Sequence, residues 1–519
     1  MSLLNLSEIH FLHIDDFANY RSMLRSILKS IGVQHIDDAG DARSALEKIE
    51  ENHYDVILCD YNLGDGQNGQ QLLEEAMHRK LLPYGTIFIM VTAENTMDMV
   101  MAAVEYRPDG YLSKPFPKEI LITRLEKSIQ KKEAFKKIYE VYNNHQYDDA
   151  IFLCDRHMIK YPKFALDIGK LKGEIALKAG RLEVAEGIYE KALSVRSFNW
   201  ALYGKARTEF AGEKYQECKE TIATLLEENP NYVEGLDLLS QVHEKLGDMS
   251  ESQRLLQEAT KISPLGIARQ QQLAKVAVQN DDFEVAEKSF KSAILRGKNS
   301  YLSSVTDHTG LSKLYTDNGK ASKAVPVLTN AKKIFRKDKE SLFHTQVVDG
   351  IVQMKLGNEE KSREIFQKTM RDMPGSVQSL PPELQEDLVA SSELLNEPEI
   401  TEALLNDING IGDDSESAAD KTKKYQYLLV NGRGMRLYSN HKYQESIDCF
   451  VDAASNLPEN ISVNMNAAQA FLKMLERQGK GASNYNDLKE KARIYLDVSK
   501  RIDPHNEKYR KLEQLYSDL

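Results

Sequence analysis

Short apolar runs alternate with amphipathic stretches over the first 130 residues: FLHI at 11–14, HID near 35, VILCD at 56–60, TIFIMVT at 86–92 and GYL at 110–112. Between them, apolar positions recur at helical spacing from about Asn19 to Ile31, around Ala42 to Glu51, from Gln70 to Arg79, from Asn95 to Tyr106 and from Pro117 to about Gln130. Strands separated one by one by helices predict an α/β, doubly wound, five-stranded parallel sheet covered on both faces. Ligands of such sheets gather at the carboxyl ends of the strands, which places the expected chemistry at Asp15, Asp60 and Thr92.

Beyond residue 130 the strand rhythm stops and helix pairs take over. The small residue that opens each second helix falls at Ala150, Ala185, Cys218, Ser252 and Ala286, at spacings of 35, 33, 34 and 34. A period of about 34 residues marks tetratricopeptide repeats. Ala286, Phe290 and Ala293 fit the A-x3-F-x2-A core of the second helix, as do Ala185, Tyr189, Ala192 and Ala324, Leu328, Ala331. Later copies stretch to Ala324 and Ser362, then reach Ser446 after a gap of 84 residues, and a last copy reads Ala492, Leu496, Ser499, Pro504. The expected division is therefore a domain over 1–130, an all-α helix-pair solenoid of about seven pairs over 131–378, a linker over 379–422, and further repeats with a cap over 423–519.

The linker assignment rests on charge. Residues 397–420 hold eight acidic residues (Glu397, Glu399, Glu402, Asp407, Asp413, Asp414, Glu416 and Asp420) and no basic one, a composition that reads as a flexible segment. A second reading makes EITEALLNDI (399–408) an amphipathic helix that occupies a repeat groove when no partner is present.

Composition narrows the functional classes. A net charge of -11 excludes a generic nucleic-acid binder, whose affinity comes from basic residues gathered on one face. Cys59, Cys154, Cys218 and Cys449 lie far apart without CxxC or nearby His, so neither a disulfide framework nor a zinc knuckle is indicated and a reducing compartment fits. The start MSLLNLSEIHFLH has no basic leader region, and no apolar run approaches the roughly 20 residues that span a bilayer. The expectation is a soluble cytoplasmic protein without membrane contact.

Asp15 and Asp16 end the first strand, Asp60 the third and Thr92 the fourth, and Lys114 follows the fifth. Converging strand ends bring three carboxylates beside a hydroxyl and an ammonium, and a hard divalent cation relieves such crowding through oxygen ligands. Magnesium is thus expected at Asp15, Asp16 and Asp60, with the backbone carbonyl of Asn62 added. Asp60, which emerges from the buried central strand VILCD, is the candidate nucleophile toward a phosphoryl group whose oxygens Thr92 and Lys114 would bind. Asp-Asp pairs recur at 37–38, 148–149, 281–282 and 413–414, where a turn or helix cap explains them; the order of five elements at five strand ends carries the case.

With these residues in place, positions 1–130 resemble the receiver domain of two-component response regulators, a flavodoxin-like fold, through Asp15-Asp16, Asp60, Thr92-Ala93 and Lys114-Pro115. The resemblance implies a cis Lys114–Pro115 peptide, an aromatic switch at Tyr111 working with Thr92, and tuning of the phosphate lifetime by Asn62 and Glu94. It implies an output face made of the fourth helix, fifth strand and fifth helix. It also implies a sensor histidine kinase or phosphotransfer protein as donor, and leaves room for a homodimer through the receiver. In domain order the chain is similar to VieB-type receiver-repeat proteins. The leading expectation is a non-enzymatic response regulator whose phosphorylation controls which protein the repeat array binds. The alternatives are a phosphate sink or competitor that modulates phosphotransfer to another regulator, and an output enzyme or RNA-binding module concealed in 380–519. No repeat residue is singled out as a binding site, since Tyr and Phe at these spacings read as core.

Overall fold

The computed structural model describes residues 6–83, 85–93, 108–373, 377–409, 418–439, 441–480 and 482–519. It forms two compact units, Met1–Asp307 and His308–Leu519.

The first unit begins with β1 (His10–Ile14), α1 (Ala18–Ser30), β2 (His35–Ala39), α2 (Ala42–Glu51), β3 (Val56–Asp60), α3 (Gly69–His78), β4 (Ile87–Thr92) and β5 (Gly110–Ser113). All pairings are parallel, in the order β2-β1-β3-β4-β5. Successive residues of a strand face opposite sides, and both sides are covered here. Leu12, Ile57, Cys59, Phe88 and Met90 pack with α2 and α3, whereas Phe11, Val56, Leu58, Ile89 and Val91 pack with α1 and the helix after β5. VILCD is buried at every position, as a central strand of such a sheet must be. The helix expected over 95–106 lies outside the described residues.

The helix after β5 runs unbroken from Lys118 to Asn143 and belongs to two cores. Leu121, Leu125 and Ile129 complete the cluster on that face of the sheet, and Ala134, Phe135, Ile138 and Tyr142 start the first helix pair with Ala150, Cys154 and Ile168. Helix pairs follow, beginning with Tyr147–Lys160, Ala165–Lys178, Leu182–Val195 and Asn199–Ala211. The periodic small residues are fully buried in the helix-pair core: Ala150, Ala185, Cys218, Ser252, Ala286 and Ala324 are all 0% exposed. Glycine serves the same end beside large rings. A Cβ on Gly173 or Gly204 would fall 2.7 or 2.3 Å from the Tyr189 ring, and one on Gly434 would fall 2.6 Å from Phe450.

In the second unit the linker reading of 379–422 fails for much of its length. Helices Pro382–Leu394 and Pro398–Ile408 form another pair, and Leu384, Leu388, Ile400 and Leu404 are buried in a core with Phe343, Phe366 and Tyr425. The groove-occupying alternative fails too, because Ile400 and Leu404, 1% and 0% exposed, are parts of that core. The gap of 84 residues thus hides a repeat. The small residue is the fourth of its helix in Tyr147–Lys160 and in Tyr443–Asn456; in Pro398–Ile408 that place is held by Thr401, whose hydroxyl donates to the carbonyl of Glu397. Residues 410–417, within the acidic stretch, lie outside the described residues. None of the described helices is long and apolar enough to cross a membrane.

Candidate functional site

β1 and β3 are neighbours in parallel register, with Ile14 beside Cys59, so the residues ending them come together. Asp15, Asp16 and Asp60 bring carboxylate oxygens within 4.8 Å of one another. Asp15 is fully buried and Asp60 nearly so. Asp15 Oδ1 accepts from the Phe17 amide at 2.8 Å, and the Asp15 carbonyl accepts from Arg21 Nη1 at 2.5 Å, which fixes the turn into α1.

Lys114 closes the site from β5. Its Nζ donates to Asp15 Oδ2 at 2.6 Å and to Asp60 Oδ2 at 2.7 Å, and it lies 4.0 Å from the centroid of the Tyr20 ring. The Lys114–Pro115 peptide is cis, and the Lys114 amide donates to the Thr92 carbonyl at 2.7 Å. Thr92 pairs with Ser113 in the ladder and is half-buried at the sheet end. The Asn62 amide reaches back to Asp60 Oδ1 at 3.4 Å, and Asn62 Oδ1 accepts from the Gly64 amide at 3.3 Å. Tyr111 is half-buried against the α2/α3 cluster with Tyr61, and its hydroxyl is buried without a hydrogen-bond partner. Glu94 lies outside the described residues.

One ammonium faces three carboxylates, and the imbalance shows in two ways. Asp16 Oδ1 is buried with no hydrogen-bond partner. Burial pushes the Asp60 carboxyl above its usual range, and repulsion from Asp15 adds to this, although Lys114 pulls the other way. A buried oxygen lacking a donor among crowded carboxylates is what a hard cation would satisfy, so the donor set fits magnesium.

Sequence reasoning missed three contributors. Tyr20 lies under the Lys114 ammonium, and its phenol is held well above its usual value by burial and by the charges of Asp15 and Asp60; its place one turn into α1 was the available signal. Gly69, the first residue of α3, approaches the Asp60 backbone so closely that a Cβ would fall 2.1 Å from the Asp60 carbonyl oxygen. Gly64 turns the loop beside Asp16 with φ of 74°.

Comparison with known proteins agrees with this geometry. Residues 11–126 match the response regulator receiver domain family. Over 118 residues the chain is 28% identical to the chemotaxis protein CheY of Pseudomonas aeruginosa, covering 23% of this chain and 94% of that protein. It is 26% identical to CheY-3 of Vibrio cholerae, covering 23% and 89%. Among solved structures, a CheY-like receiver domain protein of Methanospirillum hungatei is 28% identical with a TM-score of 0.23, covering 24% of this chain and 96% of that one. A tetratricopeptide repeat protein of Parabacteroides merdae is 18% identical with a TM-score of 0.32, covering 51% and 97%. Residues 11–126 are a response regulator receiver domain, and the chain continues beyond it as an array of helix pairs.

Proposed function

We propose that Asp60 accepts a phosphoryl group from a sensor histidine kinase or phosphotransfer protein, and that the resulting change in the receiver controls the protein–protein interactions of the repeat array. The observation that carries this reading is the Lys114 ammonium bridging Asp15 and Asp60 beside an unpartnered Asp16 oxygen. Asp15, Asp16, Asp60 and the Asn62 carbonyl would hold Mg2+, which supplies positive charge to the phosphoryl oxygens when bound. A carboxylate oxygen of Asp60 attacks phosphorus as the bond to the donor imidazole nitrogen breaks and that nitrogen takes the electron pair. Lys114, already within reach of Asp60, and the Thr92 hydroxyl stabilise the negative charge on the transferred group. Asp60 is nearly buried and sits against the Lys114 ammonium, so its carboxyl is poorly solvated and held in one orientation, which suits a nucleophile.

The array supplies the other half of the reading, because helix-pair solenoids present extended concave surfaces to partner proteins. The test is capture of partners by the full chain with and without a small-molecule phosphodonor and Mg2+. The expected result is a partner set that changes with the donor in the wild type and does not change in Asp60→Asn. An Asp60→Asn chain that takes up phosphoryl by intact mass, or a wild-type chain whose partners ignore phosphorylation, sinks the proposal.

A further inference from the structure

The loop 297–304, between helices Phe283–Arg296 and Val305–Asp317, lies against α3 of the receiver, within the same compact unit. Ser300 Oγ donates to Glu74 Oε1 at 2.7 Å, and the Leu302 amide donates to the same oxygen at 3.3 Å. Asn299 Nδ2 donates to the Gly66 carbonyl at 3.0 Å. Gln71 Nε2 donates to the carbonyls of Arg296 and Lys298 at 3.4 and 3.3 Å, and Tyr301 stacks on His78 with ring centroids 5.6 Å apart. Gln71, Glu74 and His78 occupy one face of α3 at i, i+3 and i+7. Glu74, a carboxylate on the outside of the receiver fold, is only 2% exposed. A carboxylate withdrawn from water needs its donors, and both of these come from the repeat array.

The receiver side of this contact is mechanically joined to the acceptor. Asp60, Gly66 and Gln71 lie on one short stretch between a fully buried strand and a capped helix. The Gly69 amide donates to the Tyr61 carbonyl, Gly69 has no room beside Asp60, and Asn68 and Gln71 form a reciprocal capping box. Gln71 therefore serves the cap and the array together. Residues 61–68 are the ones that must adapt if the Asn62 carbonyl turns toward a metal, and Gly66, four residues on, is the one Asn299 holds. Met77 of α3 also forms part of the wall of a cavity of about 1030 Å³ in the array, lined by Tyr139, Tyr142, Tyr203 and Arg207.

Resting on the function proposed above, we infer that loop 297–304 is a latch on the acceptor loop and α3, closed in the unphosphorylated chain and released by phosphorylation of Asp60. The array then reads the receiver through α3, a route apart from the expected output face of fourth helix, fifth strand and fifth helix, and release changes the wall that Met77 contributes to the groove. Coupling is reciprocal: loosening the latch tightens binding of a phosphoryl analogue by the factor that the analogue loosens the latch.

Hydrogen–deuterium exchange on the full chain tests this, with Mg2+ alone, with Mg2+ and beryllofluoride, and with both added to Asp60→Asn. The expected result is slower exchange around residues 60–62 and about tenfold faster exchange over 297–304, a mid-range coupling, in the wild type alone. The double variant Asn299→Ala, Ser300→Ala should exchange fast over 297–304 without the analogue and bind it about tenfold more tightly. Protection at 60–62 with unchanged exchange over 297–304 overturns the latch and leaves the phosphoryl acceptor standing. Absence of protection at 60–62 overturns the acceptor, and the latch with it.

Discussion

The chain carries two dense groups of carboxylates, one at the strand ends of the receiver and one along the helix Pro398–Ile408. By charge alone both are simply acidic. In the second group every carboxylate with a described partner is matched. Glu397 meets Arg363 at 2.6 Å and also Arg436, Glu399 accepts from Asn431 at 2.7 Å and from Ser462 at 2.5 Å, and Asp407 meets Lys421 at 3.2 Å and the Tyr425 hydroxyl. In the first group a single lysine serves two carboxylates and Asp16 keeps a buried oxygen without a donor. Between these two groups it is the supply of cations and donors, not the density of charge, that separates acids holding the fold together from acids leaving room for a ligand.

The largest effect should come from unmatching the satisfied group. Burial already pushes the Glu397 carboxyl up, against the pull of Arg436 and Arg363, so removing both guanidiniums strands a buried carboxylate. Arg363→Ala with Arg436→Ala should cost about 4 kcal/mol of stability, read from urea unfolding. A change below about 0.5 kcal/mol would mark the pairs as surface decoration. Next, Leu404→Ala removes a fully buried side chain from the helix once expected to be a linker and should cost about 3 kcal/mol. A linker would tolerate it, and an unchanged urea midpoint would restore that reading.

These positions show what was legible. The strands and the repeat register could be read because each recurs: short apolar runs such as VILCD between helical stretches, and a small residue every 34 or so for Ala150 through Ala286. The pair 382–408 escaped because Thr401 holds the small position at spacings of 39 from Ser362 and 45 from Ser446, and because its charges masked Ile400 and Leu404. The strand-end residues Asp15, Asp60, Thr92 and Lys114 could be assembled because parallel register brings consecutive strand ends to one edge. Tyr20 depended on how α1 turns, and Ser300 meets Glu74 across 226 residues with no local pattern to announce it.

The unsatisfied group should respond to metal where the satisfied one does not. Asp16→Asn keeps the shape of the side chain and removes the charge whose oxygen lacks a donor. Mg2+ affinity by calorimetry should fall about 30-fold, while stability without the metal does not fall, since a like charge has been taken out of the cluster. Glu399→Gln should leave Mg2+ affinity unchanged. Equal loss in the two variants would dissolve the distinction between the groups.

The smallest effect tests whether an aspartate pair by itself means a metal site. Asp37-Asp38 lies one strand away from Asp15-Asp16, with Asp38 beside His13 in the ladder. Asp38 Oδ2 accepts from Arg25 Nε at 2.8 Å and Nη2 at 2.5 Å, and His13 Nδ1 stands 3.7 Å from Oδ1. Burial raises the Asp38 carboxyl, yet the two hydrogen bonds and the charge of Arg25, with His13 close by, win and hold it below the ordinary aspartate range. A carboxyl depressed in the folded state binds its proton less readily there than in the unfolded chain. Its stabilisation is therefore present above the unfolded value of about 4 and is lost as pH falls through the lower folded value. Asp38→Asn should cost about 1 kcal/mol at pH 7, in keeping with a partly exposed pair, and the difference from wild type should shrink steadily below about pH 4. It should also leave Mg2+ affinity untouched, because Asp38 already has its cation. A loss that persists undiminished in acid would mean that Asp38 acts through packing and not through its charge.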